Sequence, residues 1–331
     1  MITLQSTATQ TPTLTLDGRA STVQPPVFTL NDGKHIPAIG YGTYKASAEE
    51  VYECVKKALH AGARHIDSAH CYGNGKSMAD AIRDSGVPRE DIFITSKLWG
   101  TYHTRVEQGV DDILAEMGDG IDYLDLLLMH YPVALNPHGN CSKYPTKPSG
   151  ERDVLLDRKL EDTWEQLEDT VLRTSKVKSI GLSNCSIPKM EAILNSSKLR
   201  IKPAVNQVEI HPYLPEYELV EYAKQNDVLT QAYCPNGGSN SPILTHPTLQ
   251  QIATRHGVNV GQVILSWLVL VRGLGALPKS YNEDRIKSNL ALTHLTKEEV
   301  NAIQAISKTN HQRNFKADWG PGVRMGFADY D

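Results

Sequence analysis

Four polar side chains that can hold or transfer a proton follow short apolar runs in the first half of the chain. Asp67 ends one such run, and Tyr72 lies in the loop after it. Lys97 ends the next run, and His130 ends the run after that. An acid, a phenol, an ammonium and an imidazole at successive strand ends are the components of a proton-donating site.

The composition excludes several other classes of protein. With 34 basic and 38 acidic residues the net charge is −4, so the chain has no electrostatic reason to bind nucleic acid or an anionic membrane. No apolar stretch approaches the roughly 18 residues of a spanning helix, and residues 1–26 contain no apolar signal segment. The five cysteines are an odd number without metal-ligand spacing, which favours reduced thiols. We therefore expect a cytoplasmic protein.

The chain is expected to contain one domain behind a flexible start. Residues 1–26 are polar and without periodicity, and we interpret them as a flexible N-terminal extension. Residues 27–331 would form the domain, which opens with a β-hairpin at 28–36. The turn Asn31-Asp32-Gly33 supports the hairpin, because Asp-Gly suits a tight turn with positive φ.

Strand-like and helix-like patterns then alternate along the rest of the chain. A capping box at 47–50 begins the first helix, which we expect to stop at Gly62. The strands are predicted near 36–42, 64–67, 92–96, 123–129, 177–182, 203–208, 228–233 and 274–278. Further helices are predicted near 75–85, 104–117, 159–173, 187–196, 216–226, 258–271 and 283–291. Eight apolar strands separated by helices must pair in parallel, which predicts an α/β fold, a (β/α)8 TIM barrel.

The ends of these strands are unusually polar, and active sites of such barrels lie at the carboxyl ends of the strands. Besides the four residues above, polar side chains close strands five to eight: Ser183, Asn184, Gln207, Tyr233, Lys279 and Ser280.

Together these segments resemble the aldo-keto reductase family, in family order from about Phe28 to Ile306. The matching segments are His65–Asn74, Thr95–Trp99, Leu128–Pro132, Gly181–Asn184, Asn206–Glu209, Tyr233–Pro235 and Pro278–Ser280. The resemblance implies a barrel enzyme, a monomer or weak dimer, that reduces aldehydes or ketones with NADPH and uses no metal.

The resemblance assigns the catalytic roles to Tyr72, Lys97, Asp67 and His130, with Tyr72 as the proton donor. A free phenol has a pKa near 10, and we expect the adjacent Lys97 ammonium to lower it. Asp67 would neutralise and orient the lysine. A neutral His130 would donate one hydrogen bond to the substrate oxygen.

The cofactor residues implied by the resemblance form two groups. Ser183, Asn184 and Gln207 would bind the nicotinamide carboxamide, and Tyr233 would stack on its ring. The remaining positions are Thr43, Asp67, Lys279, Ser280, Arg285 and Asn289. A guanidinium at Arg285 suits the 2′-phosphate that NADH lacks, so NADPH is the expected cofactor.

The expected substrate pocket departs from the family pattern. Tyr44 and Tyr131 stand where many relatives have tryptophan, which makes the wall smaller and adds hydroxyl groups. The predicted pocket residues are Tyr44, Trp99, His130, Tyr131 and Trp319. Ser288 and Tyr281 also depart from the pattern, near the adenosine pocket.

Two long segments should border the mouth of the barrel: the loop 131–158 and the tail 309–331. We expect residues 312–331 to close over the substrate as a lid and to contribute little to the barrel core.

Two other functions stay open on the sequence. A cofactor-binding regulatory or sensor subunit is disfavoured by the intact set of four polar residues. A metal-dependent hydrolase would need more convergent ligands than His70, His130 and His211, and we interpret His70 as structural. The segment Gly73-Asn74-Gly75-Lys76 lacks the full phosphate-loop pattern and is interpreted as a turn that opens a helix. The physiological carbonyl substrate does not follow from the sequence.

Overall fold

An eight-stranded parallel sheet forms the centre of the computed structural model, which describes residues 22–238 and 241–331. The sheet strands are β4 (Tyr41–Gly42), β5 (His65–Asp67), β6 (Phe93–Leu98), β7 (Leu124–Met129), β8 (Val177–Ser183), β9 (Val205–Glu209), β10 (Leu229–Tyr233) and β11 (Gly275–Leu277). They pair in chain order, each parallel to its neighbours. The predicted strand order and parallel pairing are therefore confirmed.

Backbone hydrogen bonds between the segment that leads into β4 and the last strand, β11, close the sheet into a barrel. Gly40 N donates to Ala276 O at 2.9 Å, and Ala276 N donates to Ala38 O at 2.8 Å. Gly40 suits this junction, because a Cβ there would lie 2.6 Å from Leu277 Cδ2. The predicted (β/α)8 TIM barrel is confirmed.

Ten α-helices are present in the described residues, and most of them cover the outside of the barrel. They are α1 (Ala48–His60), α2 (Gly75–Asp84), α3 (Val106–Met117), α4 (Leu160–Arg173), α5 (Ile187–Leu194), α6 (Tyr217–Gln225), α7 (Pro247–His256), α8 (Val260–Ser266), α9 (Glu283–Ser288) and α10 (Lys297–Ala305). The predicted capping box at Ser47 and Glu50 is present at the start of α1. The turn at 73–76 opens α2, as predicted.

The predicted hairpin closes the amino-terminal end of the barrel. Strands β2 (Val27–Thr29) and β3 (His35–Pro37) pair antiparallel, and Gly33 has the expected positive φ of 81°. Leu30 and Ile36 of the hairpin are buried with Leu126 and Leu128 inside the barrel. This apolar plug fills the amino-terminal end, and the polar strand ends lie at the opposite end of the barrel.

Several predicted boundaries are wrong. Strand one is shorter than the predicted 36–42: β4 covers Tyr41–Gly42, and Ile39 adds one parallel bridge to Ala276. Ile36 pairs within the hairpin instead. The prediction missed α7, whose first residue is Pro247, a favourable first helical position. The predicted helix 258–271 is α8 followed by a π-helical segment, Trp267–Val271.

The amino-terminal segment predicted to be flexible overlaps with paired structure. Strand β1 (Thr22–Val23) pairs antiparallel with β12 (Leu292–Thr293). Among the described residues, pairing is thus already present five residues before the predicted domain boundary at Val27, and residues 1–21 lie outside the described residues.

Candidate active site

The four polar residues predicted from the strand ends converge at the carboxyl end of the barrel. Lys97 ends near the middle of the group: its Nζ donates to Asp67 Oδ1 at 2.5 Å and to Ser68 O at 2.8 Å. The Tyr72 hydroxyl lies 3.4 Å from the same Nζ. The Tyr72 ring lies edge-on to His130, with ring centroids 5.8 Å apart. A phenol, an ammonium and an imidazole therefore line one small volume.

Burial fixes the charge states of the two groups at the centre of this volume. Burial, with a smaller contribution from the Asp67 carboxylate, raises the pKa of Tyr72 well above its ordinary value. The expectation that this pKa lies below its ordinary value is wrong for the protein alone, because desolvation of the phenolate is the largest cause of the shift. Burial and the Lys97 charge hold the pKa of His130 well below its ordinary value. Tyr72 is thus a neutral phenol and His130 a neutral imidazole at pH 7.

His130 has a sulfur neighbour that the sequence did not indicate as a partner. Cys71 Sγ lies 3.5 Å from His130 Nδ1, and burial raises the pKa of Cys71 to about 12. A protonated thiol can donate to Nδ1, which leaves Nε2–H as the ring's donor. The sequence could have indicated that Cys71 lies near the site, because Cys71 directly precedes Tyr72 in the same loop.

The predicted nicotinamide residues form a hydrogen-bonded layer beside this group. Gln207 Nε2 donates to Asp67 Oδ2 at 2.7 Å and to Gln231 Oε1 at 2.9 Å. Asn184 Nδ2 donates to Ser183 Oγ at 3.1 Å, and Tyr233 OH donates to Asn184 Oδ1 at 2.8 Å. The Gln207 carbonyl oxygen and the Ser183 hydroxyl proton are then available to a ligand. One acceptor and one donor complement a primary carboxamide.

Two residues next to this layer adopt a backbone conformation that is unusual outside glycine. Asn184 has φ 57° directly after β8, and Cys234 has φ 46° directly after β10. Such strained conformations cluster at functional sites. Here they turn the chain sharply after Ser183 and Tyr233.

The residues predicted for the adenosine end occupy the start of α9 and the loop before it. Lys279 Nζ donates to Tyr44 O at 2.6 Å and to Tyr281 OH at 2.7 Å. The Arg285 side chain is exposed and forms no ion pair with any described residue. Asn289 is largely buried at the end of α9. Ser280 caps the turn before α9 by accepting from Asn282 N at 3.1 Å.

Thr43 is buried and bonded within the barrel. Its Oγ1 donates to Asp67 O at 3.0 Å, so the hydroxyl ties strand β4 to β5. The oxygen lone pairs of Thr43 remain the groups that can meet a ligand.

Aromatic rings predicted for the substrate pocket surround His130. Trp99 lies 5.2 Å from His130, and Trp319 lies 6.0 Å from Trp99 and 4.9 Å from Tyr131, measured between ring centroids. Tyr44 lies 5.0 Å from Tyr72. The structure thus brings all the predicted pocket residues together as one aromatic wall.

Two further rings complete the wall and were not predicted. Tyr144, in the loop 131–158, lies 5.2 Å from Trp99, and Phe315, in the tail, lies 5.7 Å from Tyr233. Both long segments therefore border the mouth, as expected. Their sequences are aperiodic, so no local pattern identified these two residues.

The tail also enters the core, against the prediction that residues 312–331 contribute little to it. Trp319, Met325 and Phe327 are buried within the main hydrophobic cluster. Arg313 forms ion pairs with Glu216 and Asp329. The tail is therefore both cover for the barrel and part of its mouth.

A family model described as the aldo/keto reductase family matches residues 38–308. The chain belongs to this family. The predicted family, and with it the prediction of an enzyme of the aldo-keto reductase class, is confirmed.

Individual relatives of this aldo-keto reductase match over most of its length. The chain is 40% identical to a glycerol 2-dehydrogenase (NADP(+)) of Saccharomyces cerevisiae over 301 residues, 89% of this chain and 95% of the relative. It is 43% identical to a D-galacturonate reductase of Hypocrea jecorina over 283 residues, 85% of this chain and 90% of the relative. The solved structure of an aldose reductase from Schistosoma japonicum aligns with a TM-score of 0.80 at 37% identity, covering 89% of this chain and 95% of that one.

Two features of the described residues concern the alternatives. No helix in the described part of the chain is both long and apolar enough to span a bilayer. Among the same residues, no group of three or more His, Cys, Asp or Glu side chains is placed to hold a metal ion. His70 instead pairs with Glu116, at 3.2 Å between Nδ1 and Oε2.

Proposed function

We propose that this aldo-keto reductase reduces the carbonyl group of an aldehyde or ketone to an alcohol with NADPH, and that Tyr72 donates the proton. The placement of the Lys97 ammonium between Asp67 and the Tyr72 hydroxyl is the observation that supports this most. A phenol beside a buried, neutralised ammonium can give up its proton without leaving an isolated buried charge.

The cofactor proposal rests on the donor set and on the relatives. The carboxamide-complementary pair at Ser183 and Gln207 fits one end of NADPH. Arg285, which has no ion pair within the described part of the chain, fits the other. The glycerol 2-dehydrogenase of Saccharomyces cerevisiae carries NADP(+) in its name. Bound at these residues, NADPH would supply the hydride that reduces the carbonyl carbon.

His130 would orient the substrate before the transfer. Its neutral ring can donate one hydrogen bond, and with Cys71 at Nδ1 that donor is Nε2–H. A hydrogen bond from Nε2 to the carbonyl oxygen polarises the C=O bond and places it beside the Tyr72 hydroxyl.

Tyr72 completes the reduction by proton transfer. As the carbonyl oxygen gains negative charge it becomes a far stronger base than a phenolate, so it takes the phenol's proton even though burial raises the pKa of Tyr72. The phenolate left behind is stabilised by Lys97, 3.4 Å away. Solvent then reprotonates Tyr72.

The aromatic wall supports an inference about the substrate class. Tyr44, Trp99, Tyr131 and Trp319 offer apolar faces with hydroxyl and indole N–H groups at their edges. The named relatives act on glycerol and on D-galacturonate, and small polar carbonyl compounds are therefore the first substrates to test.

A cytoplasmic location and a monomer or weak dimer remain predictions.

NADPH oxidation with a panel of aldehydes, ketones and sugars, followed by its absorbance, tests the proposal. Tyr72→Phe removes one hydroxyl and should abolish reduction while NADPH binding, followed by fluorescence, stays nearly intact. Retention of more than about a tenth of wild-type turnover, a barrier change of only about 1.4 kcal/mol, would show that Tyr72 is not the proton donor.

A further inference from the structure

The carboxylate of Glu209 holds the tail to the barrel at the mouth of the site. Glu209 is the last residue of β9, and its side chain is fully buried. Its Oε1 accepts from Asn314 N at 2.8 Å, and its Oε2 accepts from Phe315 N at 2.9 Å. His211 Nε2 lies 3.0 Å from Oε1. Two consecutive backbone N–H groups of the tail thus satisfy one buried carboxylate.

In the described part of the chain, no lysine or arginine is placed to compensate the Glu209 carboxylate if the tail N–H groups are lost. Among the described residues, no lysine or arginine forms an ion pair with Glu209. A buried carboxylate without hydrogen-bond donors is strongly disfavoured. Displacing residues 314–315 would therefore leave Glu209 with only His211, and this holds the tail against the barrel.

The same contact fixes the position of the Phe315 ring. That ring lies 5.7 Å from Tyr233 at 85° and 6.3 Å from Tyr44 at 66°, between ring centroids. Tyr44 in turn lies 5.0 Å from Tyr72. Phe315 therefore lies at the mouth, in contact with Tyr233 of the proposed nicotinamide wall and separated from the proposed proton donor by the Tyr44 ring.

We propose that Glu209 is a positioning residue that clamps the backbone of residues 314–315, and that the Phe315 ring held by this clamp limits the size of the carbonyl substrate. The inference rests on the proposed function. Neighbouring tail contacts reach the same stretch of barrel: Gln312 N donates to Tyr213 O at 3.1 Å, and Arg313 pairs with Glu216. The segment 209–216 is thus the anchor for this part of the tail.

Glu209→Gln tests the clamp with minimal change of shape. A glutamine side chain offers one acceptor oxygen where two N–H groups need acceptors, and its NH2 group must face a donor. Asp331→Asn is the matched control, because Asp331 accepts from Met325 N at 2.7 Å and from Gly326 N at 2.6 Å but lies elsewhere in the tail.

The measured quantity is the ratio of kcat/KM for a bulky aromatic aldehyde to that for a small aliphatic aldehyde. Phe315→Ala should raise this ratio by about tenfold, because the ring no longer narrows the mouth. Glu209→Gln should raise it by at least about threefold, and Asp331→Asn should leave it within about twofold of wild type. In the Phe315→Ala background, Glu209→Gln should add no further change, because it acts through that ring.

Equal losses for both aldehydes in Glu209→Gln, an effect that persists without Phe315, or an equal change in Asp331→Asn would overturn the proposal. If Glu209→Gln does not fold, Glu209→Asp, which keeps the charge and shortens the side chain, takes its place in the same comparison.

Hydrogen–deuterium exchange separates this proposal from the proposed function. Amide exchange at residues 314–315 should accelerate in Glu209→Gln and not in Asp331→Asn, whether or not the wild type reduces any carbonyl. Unchanged exchange at these amides would refute the clamp, whereas a wild type that oxidises no NADPH would refute the function and leave the clamp to be judged by exchange.

Discussion

Replacing Asp67 by asparagine should destabilise the folded protein strongly, because Asp67 serves two donors in a buried place. The side chains of Lys97 and Asp67 are 1% and 5% exposed, and their N···O distance is 2.5 Å. The second oxygen of Asp67 accepts from Gln207 Nε2 at 2.7 Å. Asparagine has one acceptor oxygen, so its NH2 group must face either Lys97 or Gln207.

The size of the loss in the free energy of unfolding follows from the burial of the Lys97 ammonium, which Asp67→Asn leaves without its carboxylate partner. Removing one partner of a buried ion pair costs about 3–5 kcal/mol of the free energy of unfolding. Lys97 keeps its hydrogen bond to Ser68 O at 2.8 Å, which favours the lower end, about 3 kcal/mol.

Urea denaturation followed by circular dichroism measures this loss, and Asp111→Asn is the control. Asp111 pairs with Lys176 at the same 2.5 Å, but these side chains are 50% and 40% exposed, and solvent screening makes such a surface pair worth little. Similar losses in the two variants, or a loss below about 1 kcal/mol in Asp67→Asn, would refute the argument from burial.

Two further predictions concern the cofactor and acid stability. Arg285→Ala should weaken NADPH binding roughly ten- to hundredfold and leave NADH binding unchanged, since the guanidinium would contact a phosphate that only NADPH carries; equal losses for both cofactors in a fluorescence titration would assign Arg285 to another role. Burial lowers the pKa of His65 to about 4 and of His103 to about 3, so below pH 6.5 the unfolded chain binds protons that the folded protein does not. Stability should therefore be complete above pH 6.5 and fall as the pH drops toward 4, by about 1.4 kcal/mol per pH unit for each histidine; equal urea midpoints at pH 7 and pH 5 would contradict this.

The sequence was sufficient for the barrel and for the convergence of the four polar side chains, because both depend on local patterns. A strand buried on both faces shows as an apolar run, and the first polar residue after it lies at the carboxyl end. His130 follows this rule directly, since it comes straight after Leu126–Met129. Asp67 is the last residue of β5, and Lys97 follows Thr95 and Ser96 near the end of β6. Tyr72 could be placed at the same end because it lies in the short loop after β5.

Long-range packing and desolvation were the parts that the sequence did not provide. Phe315 and Tyr44 are in contact although most of the sequence separates them, and no periodicity in the tail indicates that contact. The direction of the Tyr72 pKa shift depends on how much water the surrounding rings exclude. The number and sign of neighbouring charges, which the sequence does show, predicted the opposite direction.

Strand β9 connects the two functions of the site through alternate residues. Gln207 and Glu209 are two positions apart and so lie on the same face of the strand, at successive levels of the barrel. Gln207 binds Asp67, which holds Lys97 beside Tyr72. Glu209 binds the tail backbone at the N–H group of Phe315. Because one strand carries both contacts, the hydrogen bond that holds Asp67 and the proposed clamp on residues 314–315 start from positions two residues apart on β9.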